Sequence, residues 1–450
     1  MNQNNHSAHL WSSKLTFLLA AIGSSVGLGN LWRFSAEAGA NGGGAFIVVY
    51  LACVLLIGVP TIMAELLIGR SGRASGSVNS ILDLSERSGA SHLWSLGVWT
   101  GMSGGFIIVS FYCVVAAWVI AYIPKFLFGA FNGLGPSEIA SQFDAMVIDP
   151  SQLYVWFFLF AGLTVWLVAR GLNRGLELAS KYLMPAFFVL LILLCLYSIV
   201  FGWNSGGTAE AVKFMFSPDI SKITPQIALS AMGQAFFSLG LGMAIMIAYA
   251  CYLPKDIDLA RSAFTIGICD TSVALIAGLA IFPIVFTFGL DFQAGAGLFF
   301  QTLPIALSSI TGGHIIGAAF FFMAFFAALT TAIGLLEPMV AQLSEQTGKS
   351  RGFSACAAGM LMIVIGLMCL FSLEFLDFLD KTLTATFMLP IAAMVVVSFV
   401  GWRLDRQIVA DEIDPENNKL ARFLVFSTRY ISPLLIAAIF LAGVYSRYLS

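Results

Sequence analysis

Long apolar stretches, each closed by a short polar or charged segment, set the pattern of this chain. They run at about 12–37, 42–71, 92–127, 153–171, 175–202, 226–251, 260–289, 313–343, 354–372, 377–402 and 424–447. About 18 or more apolar residues suffice to cross a bilayer as a helix. The pattern therefore predicts an all-α polytopic membrane protein of eleven transmembrane helices. One stretch breaks its own pattern. Gly23–Phe34 reads G-S-S-V-G-L-G-N-L-W-R-F, with three glycines, two serines, Asn30 and Arg33 inside one crossing length. Each Gly costs a helix roughly 1 kcal/mol against Ala, and an Arg at mid-membrane about 2.5–3.5 kcal/mol. A helix that only spans would carry none of them. The stretch predicts a broken helix whose freed N–H and C=O groups line a polar cavity.

The break has an echo. Ser25-Val26-Gly27-Leu28-Gly29 in helix 1 recurs as Ser238-Leu239-Gly240-Leu241-Gly242 in helix 6. The repeat is five helices long, an odd number, so the second unit would enter the membrane from the opposite side. This predicts a five-plus-five inverted-repeat transporter fold with helices 1 and 6 broken and one extra C-terminal helix. The expected organisation is a single integral membrane domain over 1–450, with repeat one at 12–202, repeat two at 226–402 and the extra helix at 424–447. Paired Gly-interrupted helices point to a binding site near the membrane midplane.

Composition narrows the class. The chain is 59% hydrophobic and 10% charged, with a formal net charge of −2, which suggests no nucleic-acid partner. Of its 22 Lys and Arg residues, only Lys125, Lys213, Lys222, Lys381 and Arg447 fall outside when the N-terminus is placed inside. Arg33 is intramembrane and the rest are cytoplasmic, so a cytoplasmic N-terminus and an outer C-terminus in a plasma (inner) membrane are expected. Met1–Ser13 is polar and shows no cleavable signal. The seven cysteines lie in apolar segments without metal or redox spacing. The half-apolar connection 290–312 predicts a re-entrant or capping hairpin over the outer mouth.

Ionisable groups inside the membrane are few: Arg33, Glu37, Glu65, Asp270 and Asp377. Each is a candidate for pairing or function. Glu65, near Arg70, reads best as a structural interface group, and Glu337 similarly. Thr330-Thr331, adjacent in the very apolar helix 8, could offer oxygens to a hard cation or bond back to their own helix. Gly101-Met102-Ser103-Gly104-Gly105 fits a nucleophile elbow by letter. It lies in a membrane helix without the strand-to-helix turn that chemistry needs. No nucleophile–base set, P-loop or metal motif appears, so an enzyme is not expected, nor an organic cofactor.

G-S-S-V-G-L-G-N-L-W-R-F, N-G-G-G-A-F (Asn41–Phe46), A-E-L-L-I-G-R (Ala64–Arg70), G-Q-A-F-F-S-L-G-L-G (Gly233–Gly242) and A-L-T-T-A-I-G-L-L-E-P (Ala328–Pro338) together strongly resemble the neurotransmitter:sodium symporter family. The resemblance implies alternating access and sodium-driven uptake of amino acids or amines, with two sodium ions. It implies a first sodium site from the Ser25 carbonyl, Asn30, Ser238 and Asp270 with the substrate carboxylate. A second would use carbonyls of Gly23, Val26 and Ala327 with the hydroxyls of Thr330 and Thr331. The substrate carboxylate would meet N–H groups around Leu28 and Gly29 and the Tyr112 hydroxyl. Tyr112 and Phe237 would form a lid, with Arg33 and Asp377 as the gate above it.

Departures from the family pattern refine this. Gly27 stands where monoamine members carry Asp, which favours an amino acid that brings its own carboxylate. Asp270 stands where members generally present Asn, which implies transport without chloride. The inner-gate Arg has no match around Ala8, and Asp380 competes with Asp377 for the gate role. Walls at Ile108, Phe237, Met243 and Leu335, beside which Gly240 and Gly242 remove side-chain bulk, predict a neutral hydrophobic or aromatic substrate, with Ser25, Gly27, Ser238 and Thr331 also in its site. An amino-acid sensor and a channel-like protein remain alternatives. The oligomeric state is open.

Overall fold

The computed structural model describes residues 10–72, 76–290, 297–414 and 418–448. Arg73, Phe292 and Ser450, and the Ala8 region where the inner-gate Arg was sought, lie outside the described residues, as does the Arg447 side chain. The crossings expected from the apolar pattern are helical, and no strand occurs among the described residues. In chain order they are α1 (Lys14–Ser25 and Gly29–Ala40), α2 (Gly44–Gly72), α3 (His92–Leu127), α4 (Pro150–Ala169) and α5 (Leu172–Phe201). There follow α6 (Pro225–Leu239 and Ile245–Ala250), α7 (Leu259–Thr287), α8 (Gly313–Thr347), α9 (Arg351–Phe371), α10 (Leu373–Arg403) and α11 (Lys419–Tyr445).

Nine of these are continuous, apolar and long enough to cross a membrane among the described residues, and α1 makes ten when its pieces are counted together. The expected eleven is reached only by adding α6, whose halves are each too short to cross alone. That shortness is the break itself.

Burial sorts the helices into layers. α3 is 94% buried over its most apolar window, α4 and α5 only 33%. α3 is apolar on every side and forms the centre, whereas α4 and α5 turn apolar faces outward, as lipid-facing helices do. Small residues permit the closest approaches, as expected where packing rather than water drives helix association. A Cβ on Gly101 would fall 1.8 Å from the Gly242 carbonyl oxygen, so only glycine lets α3 touch the break in α6. The elbow-like letters around Ser103 thus mark a packing seat.

The connection after α7 is helical where it is described, at Leu298–Ser308. Phe300 stacks on Phe143 at 5.1 Å, and Tyr122 donates its hydroxyl to the Phe300 carbonyl at 2.7 Å. This apolar segment caps one end of the molecule. On the other face, Arg70 at the end of α2 binds Glu412 at 2.7 Å and donates to the Ile257 carbonyl. Glu65 is therefore not the partner of Arg70, and Glu337 is bonded to Arg351.

Candidate functional site

The two breaks meet at the centre. α1 starts with a capping box, Ser13 and Thr16 exchanging side-chain and backbone bonds at 3.2 Å. It runs to Ser25, bends by 57° and resumes at Gly29 as a π-turn. Side chains satisfy the groups the bend frees. Asn30 Oδ1 accepts from Gly27 N–H at 3.0 Å, and the Tyr112 hydroxyl accepts from Leu28 N–H at 3.1 Å. Gln234 Nε2 donates to the Gly29 carbonyl at 3.0 Å. In α6, Gly240 (φ +63°), Gly242 (φ +76°) and Ala244 (φ +61°) are left-handed. Glu65 Oε1 accepts from Gly242 N–H at 2.8 Å. A non-Gly residue in that region is costly and concentrates at functional sites.

Three buried polar side chains converge between the breaks. Asn30 Nδ2 donates to Ser238 Oγ at 2.9 Å and to Asp270 Oδ1 at 2.8 Å. Ser238 Oγ donates to Asp270 Oδ2 at 2.7 Å, and the Tyr50 hydroxyl lies 3.5 Å from the same oxygen. Asp270 is fully buried, and no Lys or Arg pairs with it among the described residues. The nearest basic residue along its helix, Arg261, is bound to Asp258 instead, so a capping or Arg261-pairing role for Asp270 is excluded. A carboxylate held this way among oxygen-rich neighbours suits a small hard cation. The Ser25 hydroxyl donates to the Ala21 carbonyl at 3.2 Å and reaches the Leu239 carbonyl at 3.5 Å.

A second oxygen cluster lies on the other flank of the α1 bend. Thr331 Oγ1 is 3.2 Å from the Val26 carbonyl and 3.4 Å from that of Gly23. Thr330 Oγ1 donates to the Ala327 carbonyl at 3.1 Å. Thr331 thus reaches the two α1 carbonyls, while Thr330 bonds back to its own helix, at the Phe326 carbonyl as well.

All twelve expected substrate residues line one cavity: Ser25, Gly27, Leu28, Gly29, Ile108, Tyr112, Phe237, Ser238, Gly240, Met243, Thr331 and Leu335. Ser24 and Ile245 complete it. Both flank the repeated motif and carry nothing distinctive in sequence. The free space is only about 20 Å³, so the site is contracted. Gly242, expected to remove bulk beside the substrate, does not line it. A Cβ there would meet the Leu389 carbonyl at 2.8 Å, so its smallness serves packing on α10.

Phe237 roofs the cavity, with the Arg33 guanidinium 4.4 Å from its ring centre. Above lies a vestibule of about 400 Å³ lined by Arg33, Glu37, Asp377, Asp380 and Lys381 among others. The expected Arg33–Asp377 contact is not formed: Asp377 is held by Lys381 at 2.7 Å, one turn away on its own helix. Asp380, with a buried and unbonded Oδ1, lines the same vestibule as Arg33. Below the cavity sits a buried aromatic cluster. Trp11 packs on Phe17 and Tyr249, and its indole N–H donates to the Tyr249 carbonyl at 2.9 Å.

Two broken helices enclosing a small site, with a vestibule on one side and the Trp11 cluster on the other, define a membrane transporter of the inverted-repeat class. Comparison then gives the family. The model of the sodium:neurotransmitter symporter family matches residues 8–132 and 145–448, and the chain belongs to that family. It is 34% identical over 445 residues to YhdH, an uncharacterized sodium-dependent transporter of Bacillus subtilis (strain 168), covering 96% of each chain. An uncharacterized sodium-dependent transporter of Haemophilus influenzae is 31% identical, over 99% of this chain and 100% of its own. The crystal structure of MhsT in complex with L-phenylalanine superposes with a TM-score of 0.88 at 36% identity, covering 97% of this chain and 100% of that one. The fold is that of a multi-pass sodium-dependent transporter.

Proposed function

We propose that this chain is a symporter that takes up a neutral hydrophobic or aromatic amino acid with sodium. The observation that carries the reading is the buried Asp270–Asn30–Ser238 cluster, free of basic partners among the described residues, set beside a small cavity walled largely by apolar groups. The first sodium ion would bind the Ser25 carbonyl, Asn30, Ser238 and Asp270 together with the substrate carboxylate. The second would bind the carbonyls of Gly23, Val26 and Ala327 and the hydroxyls of Thr330 and Thr331. Hard oxygen ligands suit both.

The substrate supplies its own carboxylate. A Cβ on Gly27 would stand 2.7 Å from Thr331 Oγ1 and 3.1 Å from the Tyr112 hydroxyl, so no acidic side chain fits there. The carboxylate meets the N–H groups at the start of the second half of α1, where the helix dipole is positive, and the Tyr112 hydroxyl. Ile108, Phe237, Met243 and Leu335 hold the apolar side chain. L-Phenylalanine, the ligand in the MhsT complex, is of this kind.

The vestibule is the outer approach and the Trp11 side the cytoplasmic one. Phe237 and Arg33, with Asp380 in the same vestibule, close over a bound substrate. The N-terminus is cytoplasmic, the C-terminus outside, and the membrane is the plasma (inner) membrane. Residues 12–202 and 226–402 form the two inverted repeats. While sodium is bound, Asp270 supplies the negative charge that a chloride ion would lend, so transport is chloride-independent. Its protonation on the return step offers a route for proton counter-transport.

Purified protein in proteoliposomes tests this. A sodium gradient should accumulate labelled L-phenylalanine, L-tryptophan or L-leucine, equally in chloride and in gluconate. Unlabelled substrate should drive counterflow. Binding without counterflow would instead make the chain a sensor, and sodium current at ion-channel rates a channel.

A further inference from the structure

Two prolines join the eleventh helix to the substrate site. Pro60 in α2 has no N–H, so the Leu56 carbonyl four residues back loses its helical partner. The helix widens there into a π-turn, Val54–Gly58. Two hydroxyls from α11 take the freed oxygen: Ser427 Oγ at 2.7 Å and Ser432 Oγ at 2.9 Å. Thr428 Oγ1 reaches the Pro60 carbonyl at 3.3 Å. All three are buried. Serines in apolar helices ordinarily bond back to their own backbone; these two reach across instead. α11 is pinned in the same manner. Its Pro433 frees the Arg429 carbonyl, which the Trp402 indole N–H of α10 takes at 2.8 Å.

The half of α2 beyond Pro60 is bound to the second half of α6. Glu65 Oε1 holds Gly242 N–H, and a Cβ on Gly69 would fall 2.1 Å from the Ile247 carbonyl. Whatever sets the direction of α2 after Pro60 therefore sets where the α6 break lies against the cavity.

We infer that α11 is a strut for the α2 break, and that Ser427 and Ser432 are positioning residues acting on the substrate cavity through Leu56, Glu65 and Gly242. The kinetic consequence rests on the transport reading above; the structural one does not.

Hydrogen–deuterium exchange on the purified full chain, with parallel L-phenylalanine uptake in proteoliposomes, tests the inference. The Ser427→Ala/Ser432→Ala variant should exchange about tenfold faster at 54–66 and 239–246 while 351–371 stays native-like, the size expected for one lost buried hydrogen bond. Half-saturation by L-phenylalanine should rise about tenfold with the maximal rate little changed, the signature of lost positioning. Adding Pro60→Ala returns an N–H to the Leu56 carbonyl and should cancel most of the exchange effect, a non-additivity that only a shared partner produces. Ser432→Thr, which keeps the hydroxyl, should behave as native. Each single alanine variant leaves one hydroxyl and should show a smaller rise in the same segments, which serves if the double variant does not fold. Native-like exchange in the double variant would overturn the strut. So would an equal rise at 351–371, or no relief from Pro60→Ala. A native protein that takes up no L-phenylalanine but shows the exchange pattern would remove the transport reading and leave the strut standing.

Discussion

The breaks in α1 and α6 carry nearly the same letters and answer different physical demands. In α1 neither Gly27 nor Gly29 adopts a left-handed backbone. They are small because of what faces them: a Cβ would press Thr331 Oγ1 at 2.7 Å from Gly27, and the Phe237 ring at 2.9 Å from Gly29. In α6 the backbone itself demands glycine, with φ of +63° at Gly240 and +76° at Gly242. Around Gly240 the nearest atom a Cβ would meet is 3.5 Å away, so space is not the constraint. One break is made by crowding and patched by side chains. The other is made by conformation, with α10 crowding Gly242 as well. A shared motif therefore locates two breaks without stating why either residue is glycine.

The largest effect is expected where the breaks meet. Asp270 receives Asn30 from α1 and Ser238 from α6. Asp270→Asn should lower sodium-driven uptake in gluconate by about 100-fold, the upper range for a lost group beside a metal ion. Any recovery should need added chloride. Normal uptake in gluconate would remove Asp270 from the cation site. Next, the Thr330→Val/Thr331→Val variant should raise the sodium concentration for half-activation by about 10–100-fold. Unchanged sodium activation would show that the flank of the α1 bend holds no cation.

The two kinds of glycine can be told apart by rescue. Gly27→Ala should lower the melting temperature through overpacking worth about 1–3 kcal/mol, and adding Thr331→Ala should recover much of it. Gly240→Ala should cost about 1–2 kcal/mol of left-handed strain, which no trimmed neighbour relieves but Gly240→Asn partly does. Against that control, Gly240→Leu should slow L-tryptophan uptake more than L-leucine uptake. Equal slowing would separate Gly240 from the substrate's side chain. The smallest effect is expected at the vestibule. Asp377→Asn removes an exposed pair with Lys381, worth about 0.2–1 kcal/mol, and should leave uptake near native. Asp380→Asn should slow it several-fold by removing a carboxylate from the vestibule that Arg33 also lines. The reverse order would return the gate to Asp377.

Much of this was legible in the sequence because a membrane makes backbone bonding compulsory. Glycines, Asn30 and Arg33 within one apolar run leave few outcomes besides a break at a cavity, and the twelve expected lining residues share one. What escaped depended on distances between remote segments. Asp377 and Asp380 both suit an ion pair by spacing, and only Lys381, bonding one turn back, decides between them. Glu65 looked like the neighbour of Arg70, but the helix turns its carboxylate toward Gly242. Gln234 on the Gly29 carbonyl could have been suspected from its place one turn before Ser238. The bonds from Ser427 and Ser432 had one clue, Pro60, and no means of saying which helix would answer it.

Trp11 gives the side opposite the vestibule an optical handle. Its indole is 3% exposed, bonded through N–H and set edge-on against Tyr249 at 5.5 Å. Opening that side would break the bond and wet the ring, so emission should shift to the red and become accessible to a soluble quencher. In a variant with the other tryptophans replaced, sodium should hold the emission blue, and sodium-free buffer should release it. The closed state would then be followed by its own light, with no label added.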